Sequence, residues 1–158
     1  MKSKSQTKSE KASFRQAEIA DVHDILDMMK EFYEIDQYLF DKKLSAENLY
    51  IFLQNGDLGR LWMIQLQNET VGYVVLTFGF SFEYGGRDAF IDELFIKKPF
   101  RNQGIGDSSI KLVLEEAKSL DIKAVHLEVE SHNEGGIKLY TKHSFGGNNR
   151  KLLTHRIS

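Results

Sequence analysis

Two acids interrupt an apolar run near the middle of the chain. Asp92 and Glu93 stand between Ala-Phe-Ile and Leu-Phe-Ile, and a carboxylate in so apolar a setting costs free energy unless it is paired or used. Such an acid could serve as a general base or bind a cation. Successive strand residues point to opposite faces, so only one acid should face a bound ligand, and Glu93 is slightly favoured. The alternative is an ion pair for one acid and solvent for the other.

A basic, glycine-bearing turn follows the acids. Residues 101–106 read Arg-Asn-Gln-Gly-Ile-Gly, and apolar residues with helical spacing come after them, at positions 110, 113, 114 and 117. The first turn of a helix has backbone N–H groups without partners, and Gly104 and Gly106 would let a bulky anion approach them. With Arg101 as a cation, this turn predicts a phosphate or pyrophosphate site. The alternative is an ordinary strand–helix turn whose glycines only relieve strain.

The remaining patterns predict the elements that must position these residues. Apolar periodicity favours helices beginning near Asp21 and near Ser45, and strands before, between and after them. Gln-Asn-Glu-Thr predicts a hairpin turn at residues 67–70. The predicted strands are 14–17, 61–66, 71–80, 89–96, 124–130 and an edge strand 151–157 after a turn at 146–149; a short helix covers 136–142.

Composition limits the classes of function. The chain has 158 residues, a net charge of −2 and no cysteine, so disulfides, thiolate nucleophiles and Cys-zinc sites are excluded, and no histidine pair has convincing metal spacing. No overall charge draws it to nucleic acid or a membrane surface, and a cytoplasmic location is the default expectation. Residues 1–13 are rich in Lys and Ser and predict a disordered tail before a single domain at 14–158.

Arg101-x-x-Gly104-x-Gly106, between a strand and a helix, resembles the acetyl-CoA pyrophosphate loop of the GNAT superfamily of N-acetyltransferases. A second segment agrees, because NEGGIKLYTKHSF resembles the family's N-x-x-A-x-x-L-Y-x-x-x-G-F. Two departures are Gly136 in place of alanine, which weakens a helix by roughly 1 kcal/mol, and Ser144 in place of glycine.

The resemblance implies an α/β fold, with a central mixed, mostly antiparallel sheet of about six or seven strands and about four helices on its two faces. It implies acetyl-CoA as cofactor and direct acetyl transfer to an amine. The Tyr140 hydroxyl would serve the leaving thiolate, although spacing alone favours a core aromatic at Tyr140. Cofactor contacts would come from Leu94, Phe95, Ile96, Arg101, Asn102, Gln103, Gly104, Ile105, Gly106, Asp107, Asn133 and Tyr140.

The acceptor is the least defined part of this prediction. Tyr33 and Tyr38 lie in an acidic, aromatic connection, and Phe82, Glu83 and Tyr84 lie in a loop that lines the acceptor site in relatives; a solvated loop is the alternative for both. Their charge favours a small cationic amine, such as a polyamine, an aminoglycoside or an amino-acid-like compound. A protein lysine or N-terminus, or a non-catalytic acyl-CoA sensor, are the alternatives. A homodimer is compatible with the resemblance.

Overall fold

The fold is built on a five-stranded sheet. In this sheet, each strand lies beside the strand that precedes or follows it in the chain. The structure, a computed structural model, describes residues 11–147 and 149–157. The first four strands are antiparallel and the last pair is parallel. The strands are β1 Ser13–Gln16, β2 Gly59–Leu66, β3 Glu69–Ser81, β4 Gly86–Ile96 and β5 Ala124–Leu127.

Four α-helices accompany the sheet in the described chain: α1 Val22–Ile35, α2 Lys42–Gln54, α3 Ile105–Ser119 and α4 Glu134–Lys142. By their contacts, residues 11–128 form one compact unit, which holds the sheet and α1–α3, and the described residues from 129 onward form a second, which holds α4. The mixed α/β sheet and the four helices confirm the predicted fold class, with fewer strands than the six or seven expected.

The core of the first unit lies on both faces of the sheet. On one face, buried residues of α1 and α2 pack against alternate residues of β2, β3 and β4, among them Met63, Tyr73 and Phe95. On the other face, Ile105 at the start of α3 packs with Ile64 and Val71. Burial on both faces explains why β2 and β3 read as nearly continuous apolar runs in the sequence.

An ion pair fixes the passage from β1 to α1. Both guanidinium N–H₂ groups of Arg15 donate to Asp21, each at 2.7 Å, and the Glu18 backbone N–H donates to the same carboxylate at 2.7 Å. The Arg15 hydrogen bond is the main reason why the pKa of Asp21 is lowered. Asp21 was expected to cap α1; it makes no side-chain cap there and instead closes the short 3-10 turn Ile19–Asp21.

Other boundaries differ from the predictions. Residues 151–157 are exposed and form no strand, so the edge strand predicted there was wrong, although the segment carries Leu152, Leu153 and Ile157. The turn proposed at 146–149 includes residue 148, outside the described residues. β5 stops at Leu127 rather than at residue 130. Most of the predicted tail, residues 1–13, also lies outside the described residues, and Ser13 is already the first residue of β1.

The end of α4 explains one departure from the family pattern. The Phe145 N–H donates to the Tyr140 carbonyl and the Ser144 N–H to the Thr141 carbonyl, the pair of bonds of a Schellman motif. Ser144 has φ 64°, so it keeps the left-handed conformation that glycine would take without strain. The substitution preserves the turn at a cost in stability.

We therefore expect Ser144→Gly to raise the free energy of unfolding by about 1 kcal/mol, measured by urea denaturation. Ser144→Ala is the matched control, because alanine keeps the Cβ that causes the strain, and it should change stability little. Equal stabilities of the glycine and alanine variants would contradict this account.

Candidate active site

A β-bulge places both central acids on one side of β4. Glu93 pairs with Val75 of β3 and Ile91 pairs with Leu76, so Asp92 is an extra residue without a partner in the ladder. A bulge breaks the alternation of side chains. Asp92 and Glu93 therefore line the same two cavities, and the expectation that only one would face a ligand was wrong because it assumed a regular strand.

Two phenols hold the Glu93 carboxylate. Tyr33 Oη donates to Oε1 at 3.1 Å, and Tyr73 Oη donates to Oε2 at 2.6 Å. Burial raises the pKa of Glu93; the Tyr73 and Tyr33 hydrogen bonds oppose the rise and the charge of Asp92 adds to it. The outcome is a half-buried, oriented carboxylate that binds a proton more readily than glutamate in water.

The same contacts change the two tyrosines. Burial, followed by the charge of Glu93, raises the pKa of Tyr33 to about 12, and the pKa of the fully buried Tyr73 rises well above its usual range for the same reasons. Both phenols therefore stay protonated at neutral pH and remain donors to Glu93. Burial also raises the pKa of Asp92, which lies beside Glu93 at the rim of the cavities.

Two adjoining cavities share Tyr33, Asp92 and Glu93. The inner cavity, about 220 Å³, lies between α1, α2 and the sheet, and the outer cavity, about 240 Å³, lies at the end of α1. The inner cavity is also lined by Met29, Ser45, Asn48, Leu49, Phe52, Leu61, Val75 and Thr77, and the outer one by Phe32, Asp36 and Tyr38.

The end of α1 brings the two predicted tyrosines to one place. The Tyr38 N–H donates to the Tyr33 carbonyl at 2.9 Å, while Gln37 adopts φ 57°, which is again a Schellman geometry. This tight reversal sets both side chains on the outer cavity. Tyr33 is held further by edge contact with Phe40, at 5.6 Å between ring centroids.

The other predicted acceptor residues lie elsewhere. Glu83 and Tyr84 belong to the short connection between β3 and β4, and neither lines the inner or the outer cavity. The Tyr84 ring instead packs on His126 at 4.9 Å, and His126 contacts Asp88 at 3.2 Å. Phe82, a further candidate of that loop, is almost fully exposed. The connection joins β4 at Gly86, several residues before the bulge at Asp92, so the tip of the hairpin lies away from the bulge.

The far end of β4 has a backbone edge that β5 does not cover. The parallel pairing ends at Ile91 and Leu127, whereas β4 continues to Ile96. The Lys97 N–H donates to the Val71 carbonyl of β3. Along a strand, the backbone N–H and C=O groups of successive residues point alternately to the two neighbouring strands. The N–H and C=O groups of Leu94 and Ile96 therefore point to the edge away from β3. Phe95, between them, points its side chain into the core with 2% exposure.

The glycine turn has the geometry that an anion site requires. Gly104 is the N-cap of α3, with φ 81°, and no side chain caps this helix start. A Cβ on Gly104 would meet no atom within 4 Å, so the space before the first-turn N–H groups of Ile105 and Gly106 is open. Asn102, two residues earlier, also has a left-handed φ of 59°.

The polar side chains of the turn are held by nearby backbone. Arg101 Nε donates to the Ile96 carbonyl at 2.7 Å, and Gln103 Nε2 donates to the Pro99 carbonyl at 3.1 Å. Asp107, in the first turn of α3, pairs with Lys111 at 2.8 Å. The Arg101 bond uses one of the five N–H groups of its guanidinium. Arg101 thus ties the turn to the free edge of β4.

The second unit holds the remaining two candidates. Asn133 is the N-cap of α4, and its Oδ1 accepts a hydrogen bond from the Gly136 N–H at 2.9 Å. A Cβ at position 136 would lie 2.7 Å from Asn133 Nδ2, so Gly136 makes room for this cap where the family has alanine. Tyr140 is half-buried with its ring edge toward Phe145, and burial raises its pKa.

Sequence reasoning missed Tyr73 and most of the inner cavity. Tyr73 lies within an apolar strand and looked like a core residue, and only the pairing of β3 with β4 brings its hydroxyl to Glu93. Ser45, Asn48 and Thr77 carried no motif. A polar aromatic in an otherwise aliphatic strand was the one signal available for Tyr73, because a buried phenol needs a hydrogen-bond partner.

Comparison with known proteins decides the family. A model described as the acetyltransferase (GNAT) family matches residues 22–145. The chain belongs to the GNAT acetyltransferase family. Acetyl-CoA is the co-substrate of this fold, and the open glycine turn and the free edge of β4 fit it. The predicted family, enzyme class and cofactor are thereby confirmed.

Relatives agree with this assignment. An uncharacterized N-acetyltransferase of Methanocaldococcus jannaschii is 28% identical over 127 residues, which are 79% of this chain and 56% of that protein. Thialysine N-epsilon-acetyltransferase of Mus musculus is 29% identical over 134 residues, covering 80% of this chain and 79% of the mouse protein.

Solved structures show the same fold. An integron cassette protein from the mobile metagenome of Cole Harbour Salt Marsh has a TM-score of 0.83 and 31% identity, covering 92% of this chain and 90% of that one. A predicted acetyltransferase of Clostridium acetobutylicum, solved with acetyl-CoA, has a TM-score of 0.78 and 18% identity, covering 92% and 96%. Among the described helices of this GNAT protein, none is long and apolar enough to cross a membrane.

Replacement of Tyr73 by Phe should raise the pKa of Glu93, because the Tyr73 hydroxyl stabilises the carboxylate. The measurement is a carbon-13 NMR titration of the side-chain carboxyls. Tyr50→Phe is the control, since Tyr50 is an exposed tyrosine of α2 that lines neither cavity. An unchanged Glu93 titration in Tyr73→Phe would mean that the hydroxyl does not stabilise the charge.

Replacement of Gly104 by Ala should weaken acetyl-CoA binding by about ten-fold, because a Cβ would enter the open space before the α3 N–H groups. Gly85 provides a matched control, with the same φ of 81° and no atom within 4 Å of a Cβ. Both variants should lose similar stability, but only Gly104→Ala should bind acetyl-CoA more weakly in calorimetry. Equal affinities would place the pyrophosphate elsewhere.

Proposed function

We propose that this GNAT protein transfers the acetyl group of acetyl-CoA directly to the primary amine of a small cationic acceptor within a ternary complex. The observation that carries the proposal is the half-buried Glu93 carboxylate, held by Tyr33 and Tyr73 in the wall shared by two cavities. The name of the mouse relative, which specifies the N-epsilon amine of thialysine, supports a small amine as the acceptor.

Different segments of the chain would bind the cofactor and the acceptor. Acetyl-CoA supplies an acetyl group activated as a thioester. Its diphosphate would be held by the first-turn N–H groups of α3 with Arg101 nearby, and its pantetheine amides by the backbone of Leu94 and Ile96. The acceptor ammonium would lie against Asp92 and Glu93, where two carboxylates of opposite charge to it face one space.

The proposed proton transfers use Glu93 as the base and Tyr140 as the acid. Glu93 accepts the proton of the ammonium. Because its pKa is raised, Glu93 is a stronger base than an ordinary glutamate, and its pKa lies closer to that of the amine. The neutral nitrogen forms a bond to the acetyl carbon while the carbon–sulfur bond breaks. The departing thiolate takes a proton from the Tyr140 phenol, which its raised pKa keeps protonated. The new amide nitrogen loses its second proton, which restores the Tyr140 phenol by way of solvent, and Glu93 returns the first proton to solvent, so that one proton is released in each turnover. No covalent acyl-enzyme is needed in a chain without cysteine.

Two further predictions accompany this proposal and rest on the sequence and the resemblance alone. They are a cytoplasmic location and assembly as a homodimer.

Replacement of Glu93 by Gln should lower kcat by about a hundred-fold or more, the usual contribution of a general base, in an assay of thiol release with acetyl-CoA and a panel of amines. Glu69→Gln, at an exposed hairpin position, is the control and should keep full activity. Full turnover by Glu93→Gln would remove Glu93 from the mechanism, and binding of acetyl-CoA by wild type without turnover on any amine would favour a sensor.

The stability difference between Glu93→Gln and wild type should depend on pH. The pKa of Glu93 is raised above its ordinary 4.5 in the folded chain, so the folded state binds this proton more tightly and stability falls as pH rises between the unfolded and folded pKa values. Glu93→Gln removes that loss. Its unfolding free energy should exceed that of wild type at neutral pH, and the difference should shrink below about pH 4; a gain independent of pH would contradict this.

A further inference from the structure

An acidic side chain lies in the first turn of α3, where the backbone N–H groups face open space. Asp107 is the third residue of α3 and the only acidic residue between positions 101 and 112 of the sequence. The Cα–Cβ bonds of a helix tilt toward its N-terminus, so a side chain of the first turn lies close to the N–H groups of that turn. An acid in this position stabilises the helix through the helix dipole. It also carries the same sign of charge as a diphosphate.

Lys111 balances the charge of Asp107 from the next turn of α3. Its Nζ lies 2.8 Å from Asp107 Oδ2, in an i,i+4 pair with the acid before the base, which is the favourable order. The Asp107 side chain is only 20% exposed, whereas that of Lys111 is 61% exposed, so water screens the carboxylate less than the ammonium. Exposed pairs of this kind add little to the stability of a fold. The main effect of Lys111 is therefore expected on the electrostatic field at the start of α3.

The unliganded and liganded states place opposite demands on Asp107. In the unliganded state, its negative charge compensates the positive end of the helix. When a diphosphate occupies the same end, a charged carboxylate repels it, and aspartate can also accept hydrogen bonds from nearby backbone N–H groups in its place. A cation that neutralises the carboxylate and draws one of its oxygens to the second turn reduces both effects.

We propose that Lys111 is a positioning residue for acetyl-CoA, which neutralises and orients the Asp107 carboxylate so that the diphosphate can occupy the first turn of α3. The inference rests on the place that the proposed function gives to the diphosphate. It adds that the affinity for the cofactor is set by a pair of side chains on one helix, and that Lys111 acts through Asp107 rather than on the cofactor.

Replacement of Lys111 by Gln should weaken acetyl-CoA binding by about three- to ten-fold, the range of a first-turn charge effect, in calorimetry at about 0.1 M salt. Lys111→Arg keeps the pair and should bind as wild type does. Lys118→Gln removes the same charge from the last turn of α3 and should change the affinity little, since about 16 Å of helix separates it from Asp107. The loss in Lys111→Gln should nearly disappear at about 1 M salt.

Replacement of Asp107 by Asn separates this role from a structural one. Asp107→Asn should bind acetyl-CoA more tightly than wild type, yet its unliganded form should unfold at a lower temperature, because α3 loses a favourable first-turn acid. In the Asp107→Asn background, Lys111→Gln should lose most of its effect on affinity. An equal loss in both backgrounds would mean that Lys111 attracts the cofactor directly, and the inference would be overturned.

The Gly104→Ala variant distinguishes a failure of this inference from a failure of the proposed cofactor position. If Gly104→Ala weakens acetyl-CoA binding and Lys111→Gln does not, the role of Lys111 is refuted while the diphosphate keeps its place. If neither variant changes the affinity, the diphosphate lies away from α3 and that part of the proposed function fails.

Discussion

The proposed chemistry depends on keeping one carboxylate largely away from water without losing it to a permanent ion pair. Glu93 satisfies that condition because its partners are phenols rather than cations. A guanidinium at the same distance would hold the carboxylate ionised and strongly depress its pKa. Two neutral donors orient the oxygens and offset part of the desolvation, while burial keeps the proton affinity high.

The bulge and the unpaired edge of β4 belong to one irregular strand. At the bulge, an extra residue turns two acids toward the same cavities, and a few residues later the strand has passed the end of β5. A regular, fully paired β4 would have hidden one acid on the opposite face and used its backbone groups within the sheet. In the proposed function, these departures from ideal pairing supply both the acids for the amine and the backbone amides for the cofactor.

The sequence predicted what local patterns determine. The helix stripes, the hairpin turn at Gln67 and Asn68, and the strand–turn–helix order around Gly104 are set by neighbours in the chain, and they lie within a few residues of their expected positions. The bulge at Asp92 could not be read, because it depends on the register with β3. Tyr73 could not be assigned for the same reason, since its role appears only when a second strand aligns with it.

The loop that contains Glu83 and Tyr84 lies apart from the two cavities, and its predicted contact with the acceptor stays a prediction. Its aromatic and acidic character suited an acceptor site, yet its residues line neither cavity, and Tyr84 packs on the His126–Asp88 pair instead. The residue type indicates which chemical role a side chain could take. The pairing of β4 with its neighbouring strands determines where that side chain lies. The start of β4 at Gly86 lies six residues before Asp92, or about 20 Å away at the usual rise. That spacing leaves the acid cluster to be completed by α1 and α2, so the inner cavity is lined by the helices and the sheet rather than by the hairpin tip.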